Sequence, residues 1–264
     1  MTMIDNEYLL YKIEKNVAVI TLNQPDSMNA ISPDFAQVLE EAIDCASQEA
    51  NAILLLGSDR AFSAGANLKS NRFDDTSTDM DVGINLENVY NPFLTKLVDL
   101  PIPLVVGVRG AAAGIGCSIA LMGDVIVAGR SAFFLQAFCN IGLVPDGGAA
   151  FLLSKSVGRI KAMELMLLGE RYPAEDAHKD GLITRLVEDD KVVEAALELA
   201  EKLAKGPSKA LALIRKSAWA ALDSSFNDQL KLERKYQKIA GFTQDFKEGV
   251  SAFREKRRPN FSGN

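Results

Sequence analysis

The chain has 264 residues, a formal net charge of −6 and 48% apolar residues. This length suits one large α/β domain or a core with a helical appendage, and the apolar share can fill a substantial core. The acidic balance argues against nucleic acid as a partner. No apolar run is long enough for a membrane span, and the opening Met1-Thr2-Met3-Ile4-Asp5 has no basic, apolar signal region.

Cys45, Cys117 and Cys139 are an odd number without metal-ligand spacing, which suits a reducing cytoplasm as the expected location. The single histidine, His178, ends a short helical pattern before Gly181 and reads as a plain helix C-terminal residue. With His178 so placed, the chain has no histidine to spare for a Ser-His-Asp hydrolase, a Cys-His protease or a His-rich metal site, and no metal is expected.

In chain order, residues 8–13 and 17–22 read as two strands around the turn Lys15-Asn16. Ser32-Pro33 caps a helix that runs to about Glu49. The apolar run 52–56 reads as a buried parallel strand, and the stretch 70–83 as a polar, acidic loop. A helix is predicted from about 84 to 100, a second buried strand over 104–108, then a helix, and strands over 125–128 and 132–135. Beyond residue 149 the pattern is mostly helical, with a strand at 182–187 and helices at 190–204, 207–222, 226–240 and 244–256. This divides the chain into a strand-bearing core, residues 1–200, and a helical region, 201–264, suited to packing on neighbouring copies.

Each buried run leads into a glycine-rich turn. The first is Ala61-Phe62-Ser63-Ala64-Gly65-Ala66-Asn67-Leu68 and the second is Gly110-Ala111-Ala112-Ala113-Gly114-Ile115-Gly116-Cys117. Two such turns side by side can aim two backbone N–H groups at one point, which makes an oxyanion hole without catalytic side chains. Tight packing explains either turn alone, and the glycine pair at 114 and 116 lacks the third glycine of a dinucleotide fingerprint.

With their flanks, these turns resemble the crotonase, or enoyl-CoA hydratase/isomerase, superfamily. The resemblance is carried by Leu22-Asn23-Gln24-Pro25 with Asn29-Ala30, both glycine turns, Ala128-Gly129-Arg130-Ser131-Ala132, Val144-Pro145-Asp146-Gly147-Gly148, Gly181-Leu182-Ile183 and the tail 248–261. It implies an α/β fold, a spiral of ββα turns followed by a C-terminal helical trimerisation region. It also implies an acyl-CoA thioester as ligand, coenzyme A entering as part of the substrate and no separate cofactor, and a homotrimer or dimer of trimers. The thioester oxygen would lie between the N–H groups of Ala66 and Ile115, with the helix opened at Gly116 favouring negative charge.

Substrate contacts implied by the resemblance are Asn29, Ala30, Ala64, Gly65, Asn67, Leu68, Gly114, Ser118 and Phe138, with Phe253 and Lys256 reaching a CoA in the same or a neighbouring subunit. Phe134, Tyr90 and Phe93 are further candidates for an apolar acyl pocket, ordinary core packing being the alternative.

The carboxylates distinguish reactions within the superfamily. Where hydratases resemble one another in carrying two glutamates, this chain has Ser118 and Phe138, neither of which is a competent base. Asp146 stands where several enoyl-CoA isomerases carry a single acid. As a residue alone it also fits a turn or helix cap. With Phe138 near it, its pKa is expected to rise by desolvation. The expected activity is therefore isomerisation of an acyl-CoA: a 1,3-shift of an enoyl double bond, or rearrangement of a ring-derived thioester of the phenylacetate type, which further segments resemble. A hydratase with unusual acid/base groups and a catalytically silent acyl-CoA binder remain as alternatives.

Overall fold

Three successive strand–strand–helix units organise the molecule. The computed structural model describes residues 4–68 and 81–263, so most of the predicted 70–83 loop lies outside the described residues. The chain begins with β1 (Ile4–Asp5), β2 (Leu9–Glu14) and β3 (Val17–Leu22), paired antiparallel. Lys15 and Asn16 between β2 and β3 have φ of 50° and 64°, the left-handed values that a tight two-residue hairpin needs. In α1 (Pro33–Glu49) the Ser32 hydroxyl accepts the Phe35 N–H at 3.1 Å and Pro33 occupies the first turn, where its missing N–H costs nothing.

The first unit is β4 (Ala52–Leu56), β5 (Ala61–Ser63) and α2 (Asn91–Asp99). The second is β6 (Leu104–Val108), β7 (Ala111–Ala113) and α3 (Ile115–Leu121). The third is β8 (Val125–Gly129), β9 (Phe133–Leu135) and α4 (Ala149–Ser156). After them come α5 (Gly158–Leu168), β10 (Tyr172–Pro173), α6 (Ala174–Lys179) and β11 (Arg185–Val187). The first strand of each unit enters a seven-stranded sheet, order β1-β2-β3-β4-β6-β8-β11. The second strand enters a four-stranded sheet, order β10-β9-β7-β5. This is the α/β spiral expected of the sequence.

β4 and β6 are buried on both faces. On one side Leu54, Leu56 and Val105 meet Ala196, Ala200 and Ala204; on the other, Ile53, Leu55 and Val106 join Phe35, Leu39 and Phe62. Double burial is why these strands read as unbroken apolar runs.

The last third comprises α7 (Val192–Ala204), α8 (Ser208–Ala221), α9 (Phe226–Gly241) and α10 (Gln244–Arg254). A division at residue 200 would cut α7, whose buried alanines continue to Ala204 on the sheet. The chain breaks instead at Lys205-Gly206-Pro207. The α8 residue Arg215 ties the tail back to the core. Its guanidinium bonds Asp124 Oδ2 at 2.6 Å and the carbonyls of Leu97, Val98 and Leu100 at 2.7–3.0 Å, which closes the C-terminus of α2.

The helix predicted from about 84 does run from 84 to Asp99, with a π-helical turn, Leu86–Tyr90, inside it. One local prediction shifts. The strand predicted over 182–187 narrows to Arg185–Val187 because the N–H groups of Leu182 and Ile183 turn back to the Ala177 carbonyl. His178 lies in the last turn of α6 with Nδ1 3.4 Å from the Ile183 carbonyl oxygen, the structural role expected of it.

Candidate active site

Parallel pairing of β5 with β7 brings the two glycine turns together. Gly65 has φ of 98°, and a Cβ there would stand 2.9 Å from the Ala113 carbonyl oxygen. A Cβ on Gly116 would stand 2.5 Å from Ser63 Oγ, and one on Gly114 3.7 Å from Gly65 Cα. The turns therefore approach at backbone distance: no side chain fits at Gly65 or Gly116, and Gly114 is held at a φ of 52° that favours glycine.

Struts from the preceding loop hold the first turn. The Asn29 amide donates to the Ala61 and Phe62 carbonyls, each at 3.1 Å, and its Oδ1 accepts the Gln24 N–H at 2.8 Å. Ser63 Oγ donates to the Asn29 carbonyl at 2.8 Å and accepts the Gly65 N–H at 3.2 Å. Ile31 clasps the turn from both sides of Ala66: its N–H donates to the Gly65 carbonyl at 2.7 Å, and its carbonyl accepts the Asn67 N–H at 3.0 Å. Between these bonds the Ala66 N–H has no acceptor among the described residues. The same holds for the N–H of Ile115, the first residue of α3, which has no intrahelical partner by position.

Asp146 reaches this place from the loop before α4. Gly147 and Gly148, with φ of 61° and 76°, turn the chain so that Gly148 rather than Asp146 precedes the helix. No side chain caps α4, so the helix-cap reading of Asp146 does not apply. Its carbonyl accepts the Ser118 hydroxyl at 3.1 Å and the Ala149 N–H at 3.1 Å. A Cβ on Gly147 would stand 2.8 Å from Ser118 Cβ and 3.1 Å from Ile115 Cδ1, so the acid loop lies directly on α3. The Asp146 carboxyl has a buried Oδ1 without a hydrogen-bond partner among the described residues. Burial pushes its pKa up to about 6. Its charge, added to burial, raises the Tyr90 hydroxyl to about 12.

Ala64, Gly65, Ala66, Asn67, Gly114, Ile115, Phe138 and Asp146 thus form one locality; Leu68 is exposed at its edge. Ala30, part-buried, is the next residue along the strut loop. Asn29 and Ser118 are fully buried, and their side-chain bonds are made inside the protein, where they brace the first turn and the acid loop. Phe93 and Phe134 belong to the main core, and Tyr90 packs there with its hydroxyl on the Ile31 carbonyl. Phe253, on α10, is 85% exposed, and Lys256 follows that helix with φ of 55°. Among the described residues no side-chain hydrogen bond or ion pair joins either to the turns.

A cavity of about 610 Å³ opens beside the acid loop, lined by Gly147, Gly148, Leu94, Phe151, Trp219 and Tyr236. Trp219 and Tyr236 come from α8 and α9, which the sequence presents only as helical surface; their distance along the chain from Asp146 hides them. Among the described residues no group of three or more His, Cys, Asp or Glu could hold a metal ion, and no helix is long and apolar enough to cross a membrane.

Unused backbone donors on both turns and an unpartnered carboxyl thus share one locality. Residues 12–264 match the family described as enoyl-CoA hydratase/isomerase, and the chain belongs to that family. It is 40% identical over 259 residues, 97% of this chain and 99% of the relative, to the 1,2-epoxyphenylacetyl-CoA isomerase of Escherichia coli. It is 41% identical over 257 residues, 96% of this chain and 97% of the relative, to a Rhodobacter capsulatus protein named "Probable enoyl-CoA hydratase". The trans-2-decenoyl-[acyl-carrier-protein] isomerase of Streptococcus mutans is 32% identical over 98% of this chain and 99% of its own. Among solved structures, an enoyl-CoA hydratase of Mycobacterium smegmatis superposes with a TM-score of 0.89 at 28% identity, covering 97% of this chain and 99% of that one.

Proposed function

We propose that the protein isomerises acyl-CoA thioesters, with Asp146 as the single general acid/base and the N–H groups of Ala66 and Ile115 as the oxyanion hole. The observation that carries this reading is the buried, unpartnered Oδ1 of Asp146 beside two unused backbone donors. On a 3-enoyl thioester the Asp146 carboxylate takes a proton from C2. The electron pair moves onto the thioester oxygen, where two N–H groups receive it, each contributing about 2.7–4 kcal/mol to lowering the barrier. The dienolate then collapses with the double bond between C2 and C3, and Asp146 returns the proton to C4. No water and no oxidant are consumed.

Single-acid chemistry fits the surroundings of Ser118 and Phe138. Ser118 has its hydroxyl committed to the Asp146 carbonyl, and Phe138 has nothing to hold a water. A carboxyl raised to about 6 is ionised at pH 7 yet basic enough to take a proton and strong enough as an acid to return it. The cavity beside Gly148 is the proposed berth for the acyl tail. The likeness to the E. coli isomerase makes ring-derived thioesters candidates alongside linear ones. The CoA moiety is proposed to lie against residues 64–68. The exposed aromatics of the tail, Phe226, Phe242, Phe246 and Phe253, suit packing between copies, in a trimer or dimer of trimers.

The deciding experiment is exchange of thioester α-protons with D₂O, run beside conversion of 3-enoyl-CoA and hydration of crotonyl-CoA. Exchange with isomerisation and negligible hydration is expected. Tight binding without exchange leaves the silent-binder reading, and hydration faster than isomerisation leaves the hydratase.

A further inference from the structure

Tyr90 makes a connection that the proposed mechanism does not use. We infer that Tyr90 is a positioning residue that fixes the direction of the Ala66 N–H through the Ile31 carbonyl; this rests on the oxyanion reading above.

Tyr90 is 3% exposed, and its hydroxyl donates to the Ile31 carbonyl oxygen at 3.0 Å. That oxygen already accepts the Asn67 N–H, so both of its lone-pair directions are filled. Ile31 and Ala66 form a parallel bridge whose two bonds go to Gly65 and Asn67, the residues on either side of Ala66. In such a ladder the residue between the bonds turns its own N–H to the opposite side. The Ala66 N–H lies in the peptide plane of the Gly65 carbonyl, which the Ile31 N–H holds, and the next plane is held by the Ile31 carbonyl through the Asn67 N–H; Ile31 thus fixes Ala66 from both sides, and Tyr90 is the side chain bonded to the Ile31 carbonyl.

The placement of Tyr90 is itself unusual. It is the last residue of the π-helical turn Leu86–Tyr90, and α2 starts immediately after it. A π turn inserts one residue relative to an α-helix and redirects the side chains at that point. Here it delivers the hydroxyl inward while Asn91, the next residue, faces the acyl-side cavity. Because burial and the Asp146 charge hold the phenol's pKa at about 12, it remains a donor at any pH where Asp146 works.

The test is Tyr90→Phe, which keeps the ring and removes the donor. α-Proton exchange of a bound thioester is expected to fall about fivefold to tenfold, the size of one lost hydrogen bond expressed at the transition state. Thioester affinity should stay within twofold of wild type. Amide hydrogen exchange at Asn67, which shares the Ile31 acceptor, should quicken severalfold. A catalytic rate within twofold of wild type overturns the inference, as does a loss matched by equally weakened binding. If wild-type protein exchanges no α-protons at all, the acid/base reading fails on its own. The Asn67 amide still decides the positioning claim in that case, because unchanged protection in Tyr90→Phe refutes it.

Discussion

Asp124 and Asp146 are the same residue type, and burial raises the pKa of both, yet they belong to different kinds of place. Asp124 is held through one oxygen: the Arg215 guanidinium sits 2.6 Å from Oδ2, and the Leu104 N–H donates to the same atom at 2.7 Å. Both oppose the effect of burial. Asp146 has burial as its only perturbing cause, and one carboxyl oxygen has nothing to bond. A buried carboxyl surrounded by donors is a structural tie; one held without donors next to unused N–H groups is poised for a proton. On the proposed reading, partners separate the two roles more than burial or pKa does.

Several substitutions break or sharpen that contrast. Asp146→Asn should lower isomerase turnover and α-proton exchange by about 10²–10⁴-fold with little change in thioester affinity, measured by steady-state kinetics and calorimetry. Arg215→Ala should do the reverse. It strands Asp124 and the carbonyls closing α2, and should cost about 2–3 kcal/mol in denaturant unfolding while turnover per folded molecule holds.

The pH dependence follows from the direction of the shift. Asp146 must be ionised to accept a proton, so kcat/KM should fall about tenfold per pH unit below about 6 and be flat above it. Stability has the opposite sign. The folded state holds this proton more firmly than the unfolded chain, whose value is 3.8, so stability falls as pH rises from there through about 6. Asp146→Asn should therefore be more stable than wild type at pH 7 by about 1–2 kcal/mol, once the full shift is discounted for partial exposure, and equal to it near pH 3.5. The smallest effect is expected of Ser118→Ala. It frees the Asp146 carbonyl and should cost about 1 kcal/mol of stability with a severalfold loss of rate.

How much of this was legible in the sequence depended on how far each interaction reaches along the chain. The doubly buried runs 52–56 and 104–108 and the Ser32-Pro33 cap are local signals, and they form the predicted elements. The three-residue strands β5 and β7 are too short to show a period of their own and read as parts of turns, although they create the second sheet and bring the turns together. Asn29 illustrates the limit at the site. Its bonds to Ala61 and Phe62 span more than thirty residues, and no local pattern announces them. The Tyr90 link to Ile31 is hidden likewise, since it depends on a π turn that no spacing reveals.

The proposed oxyanion donors belong to the main chain, and this has a consequence for genetics. Every encoded residue except proline supplies an N–H, so replacing Ala66 or Ile115 leaves the donor in place. A saturation-mutagenesis map of the protein should then be mild at Ala66, one of the proposed donors, and severe at Gly65, Gly116 and Asn29, whose close contacts and bonds hold the peptide planes in place. Deleting one donor cleanly requires an amide-to-ester exchange in the backbone, a change that only chemical synthesis can write.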